Sequence, residues 1–147
     1  MPARRIPVAV LAVLLLWLAP PRVSAQAQSE LKIIVHPDNP VGAVDVGFLR
    51  DAYLKKTVSW SNGKTIRPVD LPTSTAVRQR FVSRVLKKTP SQLRLYWNRR
   101  VFSGKGVPPV QVDTVAAAVA YVEGHPGAVA YLPVDADTGT AKVIALR

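Results

Sequence analysis

The chain has 147 residues, no cysteine, and 20 Lys and Arg against nine Asp and Glu, a formal charge of +11. Without a thiol it forms neither a disulfide nor a thiolate nucleophile, so stability rests on ordinary packing. The basic excess favours anionic partners: phosphate, acidic metabolites, anionic lipid or wall polymers, or nucleic acid.

Residues 1–25 read as a cleaved export signal. Arg4 and Arg5 precede the apolar run Val8–Ala19, followed by Pro20, Pro21 and the small-residue site Val23-Ser24-Ala25. The run is shorter than the roughly 20 apolar residues a membrane span needs, so no stable span is expected. Cleavage after Ala25, with Ala27 as the alternative, predicts a periplasmic or secreted protein. Residues 26–147 are then a single domain of ordinary size. Arg4, Arg5 and Arg22 leave with the signal; seventeen cations and nine acids remain, a charge of +8. Much of that excess falls between Arg78 and Lys105.

Leu31–His36 is a short apolar run rich in β-branched residues and predicts a buried strand, stopped by His36-Pro37-Asp38-Asn39-Pro40. Asp45–Lys56 predicts a helix, with Val46, Phe48, Leu49, Ala52 and Tyr53 as its apolar contacts. Asn62-Gly63 marks a turn, and Thr65–Leu71 resumes an extended pattern in which Pro68 predicts an edge strand or an early end. A helix follows to about Lys88. Thr89-Pro90 breaks it, and Ser91 is a candidate cap for a next helix over Gln92–Val101. Phe102–Pro109 reads as a loop. Asp113 or Thr114 caps a helix running to Glu123, with Val115, Val119 and Val122 as its core stripe. Gly127–Leu132 is a buried-looking strand, and Lys142–Leu146 a final strand placed to pair with it as a hairpin. Alternating strands and helices predict an α/β domain, a mixed sheet flanked by helices in two or three layers.

The sequence offers no catalytic constellation, metal set or cofactor motif. His36 and His125 lack neighbouring ligands at metal spacing, no GxSxG elbow is present, and the GxG of Phe102–Pro109 lacks phosphate-loop spacing. A non-enzymatic protein is expected. Arg94, Tyr96, Trp97, Arg99, Arg100, Phe102 and Lys105 interleave charge and aromatics as a nucleic-acid strip would. Tyr96 and Trp97, however, fall on the buried side of their helix, so nucleic acid is not expected as a partner.

The most informative stretch is Leu71–Lys88, LPTSTAVRQRFVSRVLKK. Thr73, Ser74 and Thr75 stand where a helix N-cap belongs, and the N–H groups and positive dipole end there favour an anion. At about 100° per residue, Val77, Phe81, Val82, Val85 and Leu86 span the apolar arc. Arg80, Arg84 and Lys87 lie opposite. Arg78 falls inside the apolar arc and so needs a partner: a bound anion at the helix start, or a nearby acid or carbonyl.

Taken together these residues resemble the periplasmic phosphate-binding proteins (PstS-like) of ABC importers, which have the type 2 periplasmic-binding fold. The likeness runs from Ile33 to Leu132. It includes IIVHPDNPV, then FLRDAYLKKTVSWSNGKTIRPVDL, then RQRF with its preceding hydroxyl turn, YWNRRVFSGKGVPP, and HPGAVAYL. The family's proteins have two lobes, and this length accommodates one, so the resemblance implies a short, single-lobe member. It further implies that Thr73, Ser74, Thr75 and Arg78 bind inorganic phosphate or another oxyanion, in phosphate ABC transport or sensing beside a permease or another envelope protein. Against the family's SGTRxxF turn this sequence reads Thr75-Ala76-Val77-Arg78, which keeps one hydroxyl and the arginine. With so few charged hydrogen bonds, of about 1.5–3 kcal/mol each, a dissociation constant near ~1 mM is expected. The alternative is an interaction module in which Arg84, Lys87, Arg94, Arg99, Arg100 and Lys105 dock an acidic protein or envelope polymer.

Overall fold

The computed structural model describes residues 30–147. The expected export signal and cleavage site lie outside the described residues. Strand β1, Leu31–Val35, is followed after the proline turn by a two-residue strand, β2, Ala43–Val44. Helix α1, Val46–Tyr53, starts where Asp45 accepts a hydrogen bond from the Phe48 amide at 2.7 Å. It stops at Leu54, short of the expected Lys56, because Lys55 turns into the left-handed region at φ +56°. Strand β3 is Arg67–Asp70 and helix α2 is Ala76–Arg84, ended by Lys87 at φ +54°.

Helix α3 runs Pro90–Phe102. Thr89, not Ser91, is its cap: the Thr89 hydroxyl accepts from the Gln92 amide while the Gln92 side chain accepts from the Thr89 amide. Pro90 sits at the first helical position, where its missing N–H costs nothing. The dipeptide expected to break a helix therefore starts one, α3, while α2 has already ended at Arg84. A short strand, β4, Val110–Gln111, lies beyond the loop. Helix α4, Val115–Gly124, is capped by Thr114 through the Ala117 amide at 3.0 Å. Strands β5, Ala128–Pro133, and β6, Lys142–Leu146, complete the chain.

The six strands form one mixed sheet in the order β2-β6-β1-β5-β3-β4. β1 lies antiparallel between β5 and β6, with Ile33 opposite both Tyr131 and Ile144. β6 therefore pairs with β1 and β2 rather than forming the expected hairpin with β5. The intervening segment is folded back instead: the Glu123 carboxylate at the end of α4 takes hydrogen bonds from the Thr140 amide and hydroxyl, at 2.5 and 2.8 Å.

β3 is also not an edge strand; it runs parallel between β5 and β4. Pro68 is tolerated there for a geometric reason. The Arg67 amide points toward β5, bonding the Gly127 carbonyl, so the alternating residue Pro68 faces the β4 side. Pairing with β4 begins only at Val69 and Asp70, so no ladder partner awaits the donor that proline lacks.

Residues Ala128–Leu132 are all buried, so β5 is covered on both faces, as the centre of an α/β sheet requires. On the Tyr131 side the ring stacks on Phe81 of α2 with centroids 4.0 Å apart, and Tyr53 of α1 meets Phe81 edge-on at 4.5 Å. Helix α4 packs across β1, β3 and β5. Val77, Phe81, Val82, Val85 and Leu86 are buried as the 100° periodicity predicts. Among the described residues no helix is long and apolar enough to cross a membrane.

Candidate functional site

The site is the corner where β3 turns into α2. Asp70 ends β3, Leu71 plunges into the core, and Pro72–Thr75 make the turn that launches the helix. Thr73 and Ser74 are exposed and Thr75 is half-buried. Thr75 is the N-cap residue, but its side chain makes no capping hydrogen bond. Its hydroxyl donates instead to the Pro72 carbonyl at 2.8 Å, closing the turn. The first turn of α2 is thus left without a side-chain acceptor, which is the condition under which a helix start can receive an external anion.

Arg78 has a partner within the chain. Its Nε lies 3.1 and 3.0 Å from the two carboxylate oxygens of Asp70, and Nη2 lies 3.0 Å from Oδ2. This is a fork of charge-assisted bonds between side chains only 14% and 17% exposed. The Tyr131 hydroxyl donates to the same carboxylate. Burial first, and then the adjacent Asp70 charge, hold the Tyr131 phenol far above its ordinary pKa, so it acts as a neutral donor. The Leu71 amide lies 3.0 Å from Asp70 Oδ1 and 3.2 Å from the Tyr131 oxygen.

Of the partners expected for Arg78, a bound anion, a nearby acid or a carbonyl, the structure supplies the acid. Neither Asp70 nor Tyr131 was among the expected site residues. The signal for Asp70 was present, since it is the only acid between Asp51 and Asp113. An arginine on an apolar arc eight residues later had no other local carboxylate to meet. Nothing in the local pattern announced Tyr131, which arrives through the β5–β3 pairing.

Thr73 and Arg78 do come together on one groove of about 700 Å³, between α2 and α3, whose walls also carry Lys88 and Arg94. No acid lines it. Ser74 and Thr75 stand at the helix start outside this groove. The histidines serve structure: His36 Nδ1 accepts from the Asp38 amide at 3.1 Å, and His125 stacks on Tyr121 at 3.9 Å. Among the described residues no cluster of three or more His, Cys, Asp or Glu could hold a metal.

No protein-family model matches the sequence, and no curated protein sequence matches it. Solved structures do. An ABC-type phosphate transport receptor from Vibrio cholerae superposes with a TM-score of 0.64 at 19% identity, over 79% of this chain and 45% of that one. The chain shares the fold of part of that receptor, a single lobe with a mixed sheet flanked by helices. Two further structures agree. A protein assigned as a phosphate ABC transporter substrate-binding protein, solved with bound phosphate, from Clostridium perfringens gives 0.62 at 18% identity, over 79% of this chain and 44% of that one. PstS from Borrelia burgdorferi gives 0.61 at 9% identity, over 79% and 46%. The chain therefore spans less than half the length of these proteins.

Proposed function

We propose that this chain is an exported, non-enzymatic, single-domain oxyanion-binding lobe of the phosphate-transport type, serving phosphate ABC transport or sensing. The observation that carries this reading is the fold likeness, because every structure above that shares the fold is described as a phosphate transport or PstS protein. The uncapped start of α2 supports it locally. Thr73, Ser74 and Thr75 offer hydroxyls, the first turn offers N–H groups, and Arg78 and Lys88 supply positive charge from the adjoining groove.

The pairing of Arg78 with Asp70 limits the affinity. Asp70 is an internal anion that already holds the guanidinium through Nε and Nη2. A phosphate must share that arginine with a carboxylate of like charge, and it meets one lobe rather than two. Weak binding follows, near ~1 mM.

The test is a thermal shift and calorimetric titration with phosphate and sulfate at about 10 mM, in constant ionic strength. For a dissociation constant of ~1 mM the stabilisation is RT ln 11, about 1.4 kcal/mol. In a domain of this size that raises Tm by about 5 °C. Neither heat nor a shift beyond a chloride control would sink the binding claim.

A further inference from the structure

The geometry points to a second binding surface, on the outer face of α3, that takes an extended acidic peptide segment carrying apolar side chains. It does not rest on the phosphate reading and lies beside the α2 corner, sharing with the groove there Lys88 alone. An open groove of about 470 Å³ runs along α3, walled by Lys88, Arg99, Arg100 and Lys105, with no acid among its lining residues. Among the described residues Arg78, bound to Asp70, is the only Lys or Arg within ion-pair distance of a carboxylate, so none of these four cations has an acidic partner.

Two of the cations are held in place. Arg100 Nη2 donates to the backbone carbonyls of Lys105 at 2.8 Å and Lys55 at 3.4 Å, while its Nε is buried without any hydrogen-bond partner. The Lys88 ammonium and the Arg100 guanidinium flank the Tyr96 ring at 5.4 and 5.6 Å. Tyr96 is itself pinned by its hydroxyl bond to the Leu54 carbonyl at 2.7 Å. The carbonyl-anchored Arg100 has little side-chain freedom left to lose on binding, which favours recognition over loose counter-ion condensation.

The surface is not purely charged. Leu95 is 49% exposed and Phe102 is 91% exposed. Seven residues apart on a helix, they lie about 20° from one another, with Arg99 about 40–60° to the side at i+4 from Leu95. An apolar pair is thus set along one edge of a cationic groove. A hydrophilic wall polymer would leave that pair uncovered, and nucleic acid, whose bases stack on aromatic rings, finds among the described residues Phe102 as the only exposed large aromatic; a peptide alternating acids with apolar residues covers both Leu95 and Phe102. From Gln92 to Ser103 the groove is about 17 Å long. An extended chain rising about 3.3 Å per residue crosses it in five or six residues, presenting every second side chain to the same side.

The probe is a fluorescein-labelled ten-residue peptide with glutamate at alternate positions and two leucines between them, titrated with the purified protein and read by anisotropy. Saturation below ~100 µM protein at about 50 mM NaCl is expected. The double variant Arg99→Glu with Lys105→Glu should weaken it at least tenfold, and Phe102→Ala at least threefold, while the phosphate response is unchanged in both. On the unaltered protein, the peptide should shift the amide resonances of Leu95–Lys105, which keeps the test decisive if a variant fails to fold. The proposal is overturned by no binding at ~1 mM, or by amide shifts confined elsewhere. It is equally overturned if an all-glutamate peptide or a single-stranded oligonucleotide binds as tightly, or if Phe102→Ala changes nothing.

Discussion

Replacing Arg78 with methionine isolates what the buried pair contributes and what it withholds from a ligand. The substitution leaves the Asp70 carboxylate with the Tyr131 hydroxyl and the Leu71 amide but without its counter-charge. Stranding one member of a fully buried pair costs about 3–5 kcal/mol. Here both side chains keep roughly a sixth of their surface in water, so about 2–4 kcal/mol is expected. Asp70→Asn is milder, about 1–3 kcal/mol, because the amide oxygen still accepts from Tyr131. The double variant removes both charges and should cost clearly less than the sum, with a coupling of about 1–2 kcal/mol. Urea denaturation of the four proteins measures the cycle. A loss under ~0.5 kcal/mol for Arg78→Met would refute the claim that the pair is desolvated and interdependent. The ligand reads the same cycle from the other side. Asp70→Asn frees the guanidinium from its internal anion, so phosphate affinity should rise at least threefold, and Arg78→Met should abolish it. Unchanged phosphate affinity in Asp70→Asn would show that Asp70 does not compete for the site.

Other expectations follow from single contacts. Gly127 sits at φ +88°, and a Cβ there would meet the Thr65 carbonyl oxygen at 2.1 Å. Gly127→Ala should therefore cost about 3 kcal/mol or prevent folding, seen as a large fall in Tm. Thr89→Ala removes one half of the α3 capping box and should cost about 1 kcal/mol by denaturant titration, with Thr89→Ser retaining most of it. The Tyr53 and Tyr131 phenols are both raised above their ordinary pKa, chiefly by burial. Their contribution is full below the unfolded value near ~10 and is lost as pH rises above it, because the unfolded chain then releases protons the folded one keeps. Denaturation between pH 8 and 11 should show that decline, and Tyr53→Phe should flatten it. The Glu123 carboxyl is held below its ordinary range by the Thr140 amide and hydroxyl, so its contribution is present above the unfolded value and fades as pH falls. Glu123→Ala should accordingly accelerate hydrogen exchange at Thr140.

Which features were legible in the sequence follows from how local their causes are. The start of α1 near Asp45 and the apolar arc of α2 depend on residues three or four apart, and both match the structure. Thr89-Pro90 reads as a break when only the missing proline donor is weighed, although proline is well suited to the first helical position that Thr89 caps. Pro68 and β6 were misplaced for a different reason. Whether a strand lies at an edge, or pairs with its sequence neighbour, is decided by which distant segment arrives beside it. At the candidate site the helix start and the need of Arg78 for a partner were visible. The identity of that partner was within reach, and Tyr131 was not, since it depends on sheet register.

The placement of β1 sets an order of assembly. Its two neighbours in the sheet, β5 and β6, are the last two strands of the chain, and Leu31 faces Pro133 across more than a hundred intervening residues. No closer segment offers β1 a partner. A chain emerging from a ribosome or a translocation pore can form α1, α2 and α3 locally, but the middle of its sheet stays open until Ala128–Leu146 has appeared. Contacts of such separation make folding slow. Truncation before Ala128 would strand the buried face of β1, rather than merely shorten the protein.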